Sequence, residues 1–87
     1  MKTGDRVLVR AGGAGVHFGT LVARSGQETH LKNSRRLWSW KGALSLSEVV
    51  ATGVDLKNSK ISESVEEVIL PTTLEVLKIS SKSNLPV

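Results

Sequence analysis

Eighty-seven residues with no cysteine make one small domain and exclude disulfide staples, thiolate metal sites and a cysteine nucleophile. The net charge of +4 is unevenly placed: residues 1–41 carry eight basic and two acidic side chains, a net +6, and residues 42–87 carry four basic and six acidic, a net −2. All five arginines lie in the first half, which points to an anion-facing surface built there, and no run approaches the roughly 20 apolar residues of a membrane span.

Residues 5–10 alternate Val7 and Val9 against Arg6 and Leu8, the period of a half-buried strand. The run Ala11-Gly12-Gly13-Ala14-Gly15 reads as a turn. Residues 16–24 read as a second strand, with Gly19 in its middle marking a bulge or a close backbone approach. Ser25-Gly26-Gln27 is a hairpin turn into a short third strand over 28–32, which Asn33-Ser34 punctuates. A fourth strand over 35–40 places Arg36, Trp38 and Trp40 on one face and Arg35 and Leu37 on the other, unless the chain bends at Asn33-Ser34.

The period then changes. Ser45 with Glu48 three residues on is a capping box, and Leu46, Val49 and Val50 recur at helical spacing, so a short helix spans about 46–52 and stops at Gly53. Residues 54–59 are a polar loop, 61–70 an extended segment ending at Pro71, and 72–79 a closing strand. The fold expected is a β-rich α+β domain over residues 1–80: a small curved antiparallel meander of four to six strands, with barrel-like closure left open, and one short helix. Residues 81–87, rich in Ser and Lys, read as a flexible tail.

The site chemistry concentrates in Arg35-Arg36-Leu37-Trp38-Ser39-Trp40-Lys41. Guanidinium forks pair with phosphate and indoles stack on bases, so this run reads as a surface for a flat anion, with core or interface packing as the competing role for the indoles. His17, Phe18 and the glycine-turn backbone at Gly15 are expected to complete a ligand site with Arg35, Arg36, Trp38, Trp40 and Lys41. The glycine run is neither a Walker loop nor a dinucleotide fingerprint, because no Gly-Lys-Ser/Thr and no helix follow it. His17 and His30 lack a convincing third metal ligand, and no cofactor is implied. Glu66 and Glu67 are adjacent, so on a strand they point to opposite faces, and no nucleophile elbow is present; no enzyme is expected.

The segments Gly15-Val16-His17-Phe18-Gly19, Asn33-Ser34-Arg35-Arg36 and Trp38-Ser39-Trp40-Lys41-Gly42-Ala43 resemble a family of small bacteriophage and prophage proteins described as a domain of unknown function. The resemblance covers roughly residues 5–80 and implies a viral origin but no defined activity; a host-cell cytoplasmic location is expected. In size and site chemistry the chain is also similar to phage counter-defence sponges, oligomers that sequester nucleotide-derived immune signals. The leading expectation is a non-enzymatic binder of a small nucleotide-type anion, assembled as a homo-oligomer, away from the membrane. Binding of polymeric nucleic acid, and inhibition of a host enzyme through protein contacts, are the alternatives.

Overall fold

The computed structural model describes residues 1–87. In chain order the elements are β1 (Arg6–Ala11), β2 (Gly15–Ser25), β3 (Glu28–Ser39), α1 (Leu46–Thr52), β4 (Lys60–Ile61), β5 (Val65–Leu70) and β6 (Thr73–Lys78). Every pairing is antiparallel, in the order β4-β3-β2-β1-β6, with β5 also on β3. The result is a β-rich fold: a curved sheet with one short helix. The sheet does not close, because β5 and β6 do not pair although only Pro71 and Thr72 separate them. That corner is pinned to two hairpin turns, with Gly12 N donating to Thr72 O at 2.8 Å and Thr73 N to Gln27 O at 2.8 Å. No helix is long and apolar enough to cross a membrane.

The alternation in β1 has an unusual outcome. Val7, Leu8 and Val9 are all fully buried, because both faces of the sheet are covered. Val7, Val9 and Ala11 join Leu21, Leu31 and Leu70 in a core made by strands alone. Leu8 and Phe18 face the other way and meet Leu37, Val49, Val50, Val54, Ile79 and Leu85. This second core exists because α1 and the last residues lie across that face.

The helix forms as its caps require. Ser45 is extended and its Oγ accepts from Glu48 N at 3.3 Å, while Glu48 Oε2 accepts from Leu44 N at 3.1 Å. Val49 and Val50 are its buried face. Gly53 ends it at φ 99°, donating from its N to Val49 O at 2.8 Å.

Residues 81–87 depart from the flexible tail expected of them. Ser83 Oγ donates to Val49 O at 2.9 Å. The Asn84 carboxamide takes both backbone groups of Val54, accepting from its N at 2.9 Å and donating to its O at 2.6 Å. Leu85 is 2% exposed within the second core. Burying one leucine contributes about 1.5–3 kcal/mol, enough to order a short segment that is also hydrogen-bonded.

The third and fourth strands expected from the sequence are one strand, β3, carrying a bulge. Between Phe18 and Thr20, β2 advances two residues while β3 runs three, from Arg35 to Lys32. The extra residue is accommodated at Asn33, the one non-glycine with positive φ, at 51°. Opposite it, a β-carbon on Gly19 would lie 2.9 Å from Lys32 O and 3.1 Å from Ser34 Cα, so only glycine fits. The bulge also resets the pleat. Leu31 belongs to the strand-only core, and beyond the bulge Arg36 pairs with His17, which pairs with Val9 of that same core. Leu37 is thereby turned to the helix-side core.

Candidate functional site

The outer edge of β3 has two partners and a gap between them. Residues Thr29 to Ser34 pair with β5, and Leu37 and Ser39 pair with β4. Ser62, in the link between β4 and β5, bridges the gap: its N donates to Arg36 O at 2.9 Å and its Oγ accepts from Arg36 N at 2.7 Å. At this junction lies a cavity of about 300 Å³, lined by His17, Ser34, Arg35, Arg36, Trp38, Ser62, Val65 and Val68.

Arg36 and Trp38 stand on the same side of β3, as alternation requires, with the guanidinium carbon 5.4 Å from the indole centroid. Trp38 is 65% exposed, so one large apolar face remains free beside a cation. Arg35 pairs with Phe18 and starts from the opposite face, yet it lines the cavity and its Nη1 donates to Ser62 O at 3.3 Å. The partner gap in the sheet edge lets both adjacent arginines reach one space. Neither makes an ion pair; the salt bridges of the chain lie at Arg10–Glu75, His30–Glu67 and Lys78–Asp5.

His17 is buried, and its Nε2 donates to Ala14 O at 2.8 Å. That bond leaves Nδ1 as the free acceptor of the neutral ring. Burial lowers its pKa below the ordinary 6.5, opposed by the Ala14 carbonyl and reinforced by the Arg36 charge. Because the folded pKa is depressed, the unfolded chain binds the proton more readily. Stability is therefore full above about pH 7.5 and falls as pH drops through 6.5 toward the folded value. Urea midpoints measured from pH 8 to 5 are expected to show this loss, at most about 1.4 kcal/mol per pH unit for one proton. The slope should be shallower in His17→Gln; an equal slope in the two proteins would contradict the burial argument.

Ser34 lines the cavity, is 0% exposed, and its Oγ has no hydrogen-bond partner. A buried hydroxyl without a partner costs about 1–3 kcal/mol, which a bound acceptor would recover.

Of the eight residues read from the sequence as a ligand site, the fold brings four together: His17, Arg35, Arg36 and Trp38. The other four lie elsewhere. Phe18 is fully buried in the helix-side core and does not line the cavity. Trp40 falls beyond the end of β3, escapes the alternation, packs against that core and donates from Nε1 to Ala43 O at 3.2 Å. Gly15 opens β2, two residues before His17, and pairs with Ala11 without lining the cavity. Lys41 is exposed and uses its backbone to hold the loop before β4, through Ser59 Oγ and Asp55 N. Ser34, Ser62, Val65 and Val68 were missed. Only Ser34 carried a signal, as half of the Asn-Ser punctuation.

The family described as a domain of unknown function, DUF6948, matches residues 4–85. The chain belongs to the DUF6948 family. No curated protein and no solved structure matches it. The match spans every element of the fold, so both the cavity and the C-terminal clamp lie within the DUF6948 region.

Proposed function

We propose that this protein binds a small nucleotide-type anion at the β3 edge and does not turn it over. One observation carries the reading: two guanidiniums without carboxylate partners meet in a cavity with a free indole face beside it and no acidic lining residue. Arg35 and Arg36 supply charge-assisted bonds to phosphate, Trp38 supplies a stacking face, and Val65 and Val68 supply an apolar wall. At about 300 Å³ the cavity is at the small end of ligand sites, the size of one nucleotide unit and not of a polymer tract.

Sequestration by a homo-oligomer is the wider form of the proposal. The outer edges of β5 and β6 are unpaired, and Val65, Ile69 and Leu74 on those strands are 49%, 55% and 55% exposed, which supports pairing with a second copy. A phage protein of this kind would act in the host cell by removing a nucleotide-derived signal.

Titration calorimetry against nucleoside monophosphates, cyclic di- and trinucleotides and ADP-ribose isomers tests the reading. Micromolar binding to a member of this set is expected, weakened about tenfold or more by Arg36→Ala and by about 1–3 kcal/mol in Trp38→Ala. No binding tighter than millimolar to any of them ends the proposal. A steep salt dependence toward long single strands, with no binding of monomers, moves the function to polymeric nucleic acid.

A further inference from the structure

We infer that the cavity takes its ligand phosphate-first and selects a terminal phosphomonoester over a phosphodiester. This rests on the nucleotide reading above and narrows it to one chemical class. The decisive residue is Ser34. It is the cavity's fully buried polar side chain, and its Oγ finds no acceptor within the chain. An acceptor brought to the cavity wall would give it a partner. Its position on β3 is fixed by the bulge at Asn33 on one side and by the pair with Val65 on the other.

The charge and shape of the site agree with that choice. Arg35 and Arg36 bring two positive charges that no carboxylate neutralises, and His17 is held neutral by burial. A phosphomonoester carries close to two negative charges near neutral pH and three terminal oxygens. It can meet both guanidiniums and the Ser34 hydroxyl at once. A diester carries one charge, has two terminal oxygens, and is substituted on both sides. It must fit a second ester group into the same cavity of about 300 Å³. Ser62 adds no free donor, because its hydroxyl accepts from Arg36 N and donates to Glu63 O. The same chemistry is offered by a free mononucleotide and by the 5′-phosphorylated end of a strand.

The experiment is calorimetry at pH 8 with adenosine 5′-monophosphate, 3′,5′-cyclic adenosine monophosphate and adenosine. A short oligonucleotide is compared with and without a 5′-phosphate, and each ligand is titrated into the wild type and Ser34→Ala. The monophosphate is expected to bind about tenfold or more tighter than the cyclic diester. Ser34→Ala should lose about five- to tenfold for the monophosphate and leave the diester unchanged. Preserved urea midpoints show that the variant is folded. A preference of the oligonucleotide for its 5′-phosphate assigns the monoester to a strand end; binding of the mononucleotide alone assigns it to a free nucleotide. A cyclic diester that binds as well as the monoester overturns the inference and leaves the nucleotide reading standing. So does a monoester preference that Ser34→Ala does not reduce. If none of the ligands in this experiment or in the wider panel binds, both fall.

Discussion

Replacing Phe18 with alanine is expected to lower the unfolding free energy by about 3–5 kcal/mol. Phe18 is fully buried, pairs with Leu8 across the sheet, and lies in one cluster with Leu37, Val49, Ile79 and Leu85. No neighbouring element is free to collapse into the space it would leave, since the strand ladder holds one side and the capped helix the other. Small domains have only about 5–15 kcal/mol in total, so the variant should be near the edge of folding at 37 °C. The urea midpoint should move down by on the order of 1–5 M. Trp38→Ala, at a largely exposed indole, should stay within about 0.5 kcal/mol of wild type. The two aromatics thus separate cleanly, one carrying stability and the other available for recognition. A Phe18→Ala protein with an unchanged midpoint would contradict the assignment of Phe18 to the core.

Gly53→Ala should be nearly as damaging, for a different reason. Gly53 sits at φ 99°, and a β-carbon there would fall inside the Asn84 carboxamide. The backbone conformation alone costs a non-glycine residue about 1–3 kcal/mol. Displacing Asn84 also breaks its two bonds to Val54, each worth about 0.5–1.5 kcal/mol, and loosens the seat of the adjacent Leu85. A total of about 3 kcal/mol or more is expected in chemical denaturation. Asn84→Ala by itself should cost less. The double variant should be less destabilised than the sum of the two, because the side-chain part of the clash vanishes with the carboxamide, while the 2.7 Å approach to Asn84 N and the positive φ remain. Strict additivity would show that Gly53 and Asn84 do not act on one another.

Much of the strand and helix pattern was legible in the chain. Period-two runs marked β1 and β6, and Ser45 with Glu48 marked the helix and its start, since both signals depend on near neighbours in sequence; residues 61–70, expected as one extended segment, instead divide into β4 and β5 on either side of residues 62–64. The bulge was half-legible. Gly19 and Asn33-Ser34 each stood out, but that they face one another is a matter of strand register, which no local pattern encodes. Leu85 was not legible, because its polar, serine-rich surroundings resemble a solvated tail and its partners lie in α1 and beyond. The same limit explains the site. Arg35, Arg36 and Trp38 announced themselves by chemistry, whereas Ser34 and Ser62 acquire their roles only where β4 and β5 leave β3 uncovered between them.

The double burial of β1 bears on how the chain acquires its shape. Its Val7-Leu8-Val9 stretch lies at the heart of the molecule, yet β6, which completes one of its edges, begins only at Thr73. The most deeply buried strand must therefore wait for the latest one. Contacts so distant along the chain slow folding toward the millisecond-to-second range typical of non-local β topologies. During synthesis β1 would remain open along that edge until residues 73–78 had left the ribosome, a window in which association with other nascent chains competes with the native pairing.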